Sequence, residues 1–222
     1  MGDNMKGKII VIEGACDGIG KTTQYQMLID NLKNDKIAYH HFPTYGSYQA
    51  ISVEKYLNGE FGKVEDLSPY FVHSLYAHDR IITWESKLKK LYNEGNILLL
   101  DRYTTSSLIY QCALIDDLEE KKKFIDYVID FEYKKLNLKE PDVVIFLTAN
   151  FDMVTNLRNK RTENEGISND IHEKNLDFMR KVYENANFVA EYLNWNIVKC
   201  DNDFKMRSKE DIAHEIYSII NN

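Results

Sequence analysis

Three stretches of this chain are apolar without interruption: Ile9-Ile10-Val11-Ile12, Ile97-Leu98-Leu99-Leu100 and Val143-Val144-Ile145-Phe146-Leu147. A strand with one wet face alternates apolar and polar side chains, so unbroken runs predict parallel strands covered on both faces. Weaker runs, Ala38 to Phe42 and Ile197-Val198, add two further strands. Between them lie helix-length segments: Lys21 to Asn34, Pro69 to Tyr92, Tyr103 to Leu136, Asp152 to Asn159 and Glu173 to Leu193, with a last one from Ser208 to Ile220. Ser68-Pro69 supplies a capping hydroxyl followed by proline at the first helical position, and Ser208 is expected to cap the last helix. This alternation predicts an α/β fold, a five-stranded parallel sheet with helices on both faces, joined by right-handed crossovers. With 222 residues, three prolines and no repeat or low-complexity linker, a single domain over 1–222 is expected.

Composition narrows the partners. Hydrophobic residues make up 44% and charged residues 28%, a balance that buries a core. The 35 acidic against 28 basic side chains leave a net charge of -7. That argues against nonspecific binding of nucleic acid or anionic membrane, where basic charge supplies the attraction. No apolar run approaches the roughly 18 residues of a membrane span. Met1 to Lys8 is polar and shows no secretory pattern. Three scattered cysteines, Cys16, Cys112 and Cys200, lack metal-type spacing and read as reduced thiols. A cytoplasmic protein with no nucleic-acid and no membrane partner is expected.

The first strand runs into Gly14-Ala15-Cys16-Asp17-Gly18-Ile19-Gly20-Lys21-Thr22-Thr23, and a helix follows. Glycine-rich backbone can turn tightly and aim N–H groups at phosphate oxygens, helped by the helix N-terminus. Lys21 then reaches the transferable phosphate and the Thr22 hydroxyl is placed for Mg²⁺. Strand, loop and helix in this order predict a P-loop and the three-layer sandwich of P-loop NTPases. Residues Asp17, Gly18, Ile19, Gly20, Lys21, Thr22 and Thr23 are the expected ATP contacts. The loop has one irregularity. Five residues separate Gly14 from Gly20, one more than the usual template, so strict register puts Ala15 in the first glycine slot. Either Ala15 tolerates that geometry, or a residue bulges out around Ala15-Cys16.

A second anchor, Asp101-Arg102-Tyr103, follows the strand Ile97 to Leu100. Ligands of an open parallel sheet bind at the carboxyl ends of its strands. Asp101 there can hold Mg²⁺ or its water shell, and Arg102 can grip a phosphate with its planar fork.

These blocks occur in order with Phe42-Pro43, Leu75-Tyr76-Ala77-His78-Asp79-Arg80, Thr104-Thr105-Ser106 and Lys139-Glu140-Pro141-Asp142. So ordered, the chain resembles the thymidylate kinases over nearly its whole length. The resemblance implies transfer of the ATP γ-phosphoryl group to dTMP, giving dTDP, with Mg²⁺ held by Thr22 and Asp101. Tyr76 matches the aromatic that stacks on thymine, and Arg80 the arginine that hydrogen-bonds the base; four residues apart, they share one helix face. Core packing for Tyr76 and a surface ion pair for Arg80 are the plainer readings. Asp17 matches the carboxylate on the acceptor 3′-hydroxyl, Arg102 the acceptor-phosphate arginine, Tyr110 the tyrosine that crowds the sugar 2′ position, and Phe42 an aromatic of the acceptor pocket. Ser107 stands where many members carry a base-contacting asparagine or glutamine. Similar enzymes form homodimers, so a homodimer is expected.

The polar stretch at about 158–173 is expected to be a lid that closes over ATP and excludes water. With no arginine in the P-loop, the resemblance places the charge-stabilising cations there, Arg161 first and Arg158 second. Lys21, Arg102, Asp101, Arg161 and Arg158 are the expected catalytic set. The alternatives are another P-loop deoxynucleoside or deoxynucleotide kinase, or a nucleotide-binding regulator that has lost catalysis.

Overall fold

A computed structural model describes residues 7–32, 36–156, 176–202 and 205–221. Five strands form one wholly parallel sheet: β1 (Lys8–Gly14), β2 (Ile37–His41), β3 (Ile97–Asp101), β4 (Val143–Thr148) and β5 (Asn196–Lys199). Their order is β2-β3-β1-β4-β5, so the three unbroken apolar runs occupy the centre. Lys8 to Ile12 of β1 pair with Ile97 to Asp101 of β3, and Ile10 to Gly14 pair with Val143 to Leu147 of β4.

Side chains alternate between the two faces of a strand, and both faces are covered. Ile10 and Ile12 point into a core with Leu28 of α1 (Lys21–Asn31) and Ile212, Ile216 and Ile220 of α9 (Lys209–Asn221). The helical residues 151–156, labelled α7, add Phe151 and Val154 to this core. Ile9 and Val11 point the other way, onto Trp84, Leu88 and Tyr92. Those three residues lie on one rod: α3 (Pro69–Thr83), a π-helical stretch Trp84–Leu88 and α4 (Lys89–Asn93). The same face is completed by α5 (Thr104–Tyr110) and α8 (Leu176–Tyr192), which pack Ile109 and Val182 with Phe146 of β4, and by α6 (Leu118–Ile129), whose Phe124, Ile125 and Val128 pack with Leu108 and Val189. Each fully buried aliphatic side chain contributes about 1.5–3 kcal/mol. The edge strand β5 buries only Val198.

Two local expectations are corrected. The segment Tyr103 to Leu136 is not one helix. It breaks into α5, a 3₁₀ turn Cys112–Leu114, α6 capped by Asp117, and a π-helical stretch Asp130–Lys135. The Asp117 side chain accepts a 2.9 Å hydrogen bond from the Glu120 amide, starting a new helix where continuous periodicity suggested none. At the start of α3 the Ser68 side chain makes no capping bond, and proline at the first turn carries that helix start alone. Ser208 does cap α9, accepting from the Asp211 amide at 3.1 Å. The short helix α2 (Ile51–Leu57) follows the β2 loop.

Candidate active site

The strands β1, β2 and β3 end side by side at Gly14, His41 and Asp101, and the residues that follow each end converge. The sheet register runs unbroken to Gly14, and the Ala15 amide then donates to the Leu147 carbonyl at 2.9 Å. Ala15 is fully buried without a positive φ, and its amide carries the hydrogen bonding to β4 one residue past the end of β1, so alanine is accommodated in the first glycine slot. Gly14 is required for space: a Cβ there would meet Ile19 Cγ2 at 2.7 Å. Gly20 is required for conformation, with φ 94° at the N-cap of α1. The first turn of α1 holds no acidic residue, which leaves its positive end open to an anion.

Lys21, at the start of α1, makes an ion pair with Asp101 Oδ1. Asp101 Oδ2 accepts from His41 Nδ1 at 3.0 Å, so one carboxylate is held from both sides. Burial works against its charged form. The His41 hydrogen bond and the charges of Lys21 and Arg102 outweigh that and hold the carboxyl down at about 2. Burial and the neighbouring Arg102 lower the Lys21 ammonium below its ordinary range. Arg102 adopts φ 68°, a left-handed conformation that a non-glycine residue rarely takes up outside functional sites. That turn aims its guanidinium at Asp17, with Nη2 donating to Oδ1 at 2.6 Å, and over the Tyr110 ring at 5.2 Å. Tyr110, Asp17, Glu13 and Asp101 outweigh burial and keep Arg102 firmly charged. Tyr110 Oη lies 3.3 Å from Asp17 Oδ2. Beneath the loop, Glu13 is buried and accepts from Thr105 and Ser106, each at 2.7 Å, which ties α5 to β1.

A cavity of about 400 Å³ opens above these groups. Its lining brings together Asp17, Lys21, Thr22, Phe42, Tyr76, Arg80, Asp101, Arg102, Ser107 and Tyr110, which the sequence places in five separate segments. Gly18, Ile19, Gly20 and Thr23 lie on the loop and helix start outside this lining. Tyr76 is half-buried and meets Tyr56 edge-on at 6.2 Å. Phe42 is buried against Tyr103 at 5.8 Å. Arg80 makes an ion pair, but a buried one with distant Glu132, not a surface pair near Asp79. Asp79 instead accepts from the Thr44 amide at 2.8 Å and holds the loop after β2 onto α3. Arg158, Arg161 and the whole expected lid at 158–173 lie outside the described residues.

The same lining contains residues that sequence reasoning missed: His41, Tyr45, Leu57 and Gln111. His41 pairs in register with Asp101 across β2 and β3, so its place at a strand end was the available signal. The others carried none.

A P-loop whose lysine, threonine and strand-end carboxylate share one cavity with an arginine and an aromatic helix face defines a P-loop nucleotide kinase. The chain belongs to the thymidylate kinase family, whose model matches residues 12–212. It is 34% identical over 154 residues to a thymidylate kinase of Brachyspira hyodysenteriae, covering 68% of each chain. Against a thymidylate kinase of Plasmodium falciparum the identity is 28% over 218 residues, 96% of this chain and 90% of the relative. A solved thymidylate kinase from Candida albicans shares the fold with a TM-score of 0.73 at 22% identity, covering 97% of this chain and 92% of that one. One from Ehrlichia chaffeensis aligns with a TM-score of 0.63 at 17% identity, covering 97% and 99%.

Proposed function

We propose that the chain phosphorylates dTMP to dTDP by in-line transfer of the γ-phosphoryl group of ATP. The observation that carries this reading is the continuity of one cavity from Lys21 and Thr22 to Tyr76 and Arg80. An acceptor with a phosphate at one end and a planar keto base at the other finds matching chemistry at both. ATP lies along Asp17 to Thr23, and Lys21 exchanges its Asp101 partner for phosphate oxygens. Arg102 clamps the acceptor phosphate, Asp17 meets the sugar hydroxyl, Tyr110 crowds the 2′ position and Ser107 lines the base. Catalysis is positioning plus charge stabilisation, with little proton transfer required.

The Thr22 hydroxyl and the Asp101 carboxylate are hard oxygen donors of the kind Mg²⁺ takes beside nucleotide phosphates. Both Asp101 oxygens already have partners in Lys21 and His41, which suits contact through the ion's water shell. Mg²⁺ held there would supply positive charge beside the nucleotide phosphates. In this reading residues 1–222 form one kinase domain, Arg161 and Arg158 bring cations from a lid at 158–173, and the protein is cytoplasmic without nucleic-acid or membrane partners. Exposed Tyr70 and Phe71 on α3, with Phe61 against Phe71 at 5.7 Å, support a homodimer formed through helices.

ADP release measured across dTMP, dUMP, dGMP and thymidine tests the reading. Activity is expected with dTMP foremost; activity on thymidine alone would overturn it, since a nucleoside offers Arg102 no phosphate.

A further inference from the structure

Arg80 is 1% exposed, and a charged residue is almost never that buried without a partner. A guanidinium has five N–H donors in a fixed fork. Nε donates to Glu132 Oε2 at 2.7 Å, and Nη2 donates to Glu132 Oε1 at 2.6 Å and to Ser107 Oγ at 2.8 Å. Nη1 reaches only the Tyr103 carbonyl, at 3.5 Å, the limit of a hydrogen bond. Among the described residues its second N–H meets no acceptor. The side chain nevertheless forms part of the cavity wall, whereas Glu132 does not.

Glu132 itself is fully buried, in the π-helical stretch Asp130–Lys135. A π turn adds a residue per turn, and this one turns a carboxylate inward while Lys134 and Lys135 stay in water. Glu132 Oε2 accepts a further bond from Thr104 Oγ1 at 2.8 Å, so its own position is fixed from α5. Burial would lower the Arg80 guanidinium, but the Glu132 charge and hydrogen bonds hold it above its ordinary range.

We propose that Glu132 is a positioning residue for acceptor recognition. It clamps the Nε–Nη2 edge of Arg80, which leaves Nη1 of this cavity-wall side chain as the nitrogen with an N–H still unmet among the described residues. A donor-only edge accepts a base whose facing group is a carbonyl oxygen and rejects one whose facing group is an amine. Keto pyrimidine monophosphates are therefore selected over amino pyrimidine ones. The inference rests on the cavity being the acceptor-nucleotide site.

The test is the pair of dissociation constants for dTMP and dCMP, read by titration calorimetry, on the wild type, Glu132→Gln, Thr104→Val and Arg80→Met, with thermal unfolding and KM for ATP alongside. In Glu132→Gln the dTMP-over-dCMP preference is expected to fall about tenfold while KM for ATP is unchanged. Thr104→Val, which leaves the fork to Arg80 in place, moves the preference in the same direction by about threefold. In the Arg80→Met background, adding Glu132→Gln changes the preference no further, because both act through one guanidinium. A preference unchanged in Thr104→Val and Glu132→Gln, or additive losses in the double variant, overturns the proposal. If Glu132→Gln does not fold, Thr104→Val decides alone. Binding needs no turnover, so dTMP bound without ADP release counts against the kinase reading and leaves this selectivity result standing.

Discussion

The two ends of the cavity hold their cations in opposite ways. At the phosphate end Lys21 and Arg102 are paired with Asp101 and Asp17, on side chains 8–31% exposed, at the open edge of the sheet. At the base end Arg80 is paired with Glu132 behind the cavity wall, with side chains 2% and 0% exposed. Pairs of the first kind are placeholders: a phosphate brings its own negative charge and takes over the cation. The second kind is permanent. Releasing either partner would strand a buried charge, at a cost of about 3–5 kcal/mol. Strength of binding can therefore be supplied at the exchangeable end, and discrimination at the locked one.

The largest effect should come from breaking the exchangeable end. Lys21→Ala is expected to lower kcat about 10²–10³-fold with little change in thermal stability, since its Asp101 partner keeps His41 and access to water. A coupled ADP assay and a melting curve on one sample check this. Arg80→Met should do the reverse in kind. It should cost about 3–5 kcal/mol of stability by stranding Glu132, measured by denaturant unfolding, and lower kcat/KM for dTMP about 10–100-fold. If Lys21→Ala proved the more destabilising of the two, the contrast between the ends would be wrong.

Acid should also attack the locked end first. His73 sits behind Glu132, fully buried, with neither ring nitrogen hydrogen-bonded among the described residues. Burial, aided by Arg80 and opposed by Glu132, lowers it from 6.5 to about 4. Between those values the unfolded chain binds the proton and the folded one does not, so stability rises with pH and is lost as pH falls from 6.5 to 4. The loss from this one group is at most about 3 kcal/mol. His73→Phe should flatten the profile of unfolding free energy over that window. The smallest effect concerns the sugar. Tyr110→Phe removes the hydroxyl near Asp17 and is expected to relax the preference for deoxyribose over ribose by about threefold, read from kcat/KM on the two forms of the acceptor.

The exchangeable end was legible in the sequence for a plain reason. Its residues are consecutive or nearly so: Gly18 to Thr23 on one turn, Asp101 and Arg102 on another, each next to an apolar run that announces its strand. The locked end was legible only in part. Tyr76 and Arg80 could be placed on one helix face by their spacing, but the sequence carried no sign that Arg80 is paired with Glu132, 52 positions away. The break between α5 and α6 was hidden too, because apolar and charged residues keep helical periodicity across it while the Asp117 cap stops one helix and starts another.

By itself the sequence determined what depends on neighbours along the chain: unbroken apolar runs that must be buried on both faces, a glycine-rich turn before a helix, and a carboxylate and arginine at a strand end. The tertiary structure decided what depends on neighbours in space. It set the order in which the strands assemble, carried the hydrogen bonding of β1 to β4 one residue past the strand at Ala15, and chose the carboxylates that hold each arginine. The physical reason is the reach of each force. Backbone propensity and burial pattern act over a few residues, whereas a buried charge is tolerated only where packing happens to bring its counter-charge, and no local pattern records that meeting.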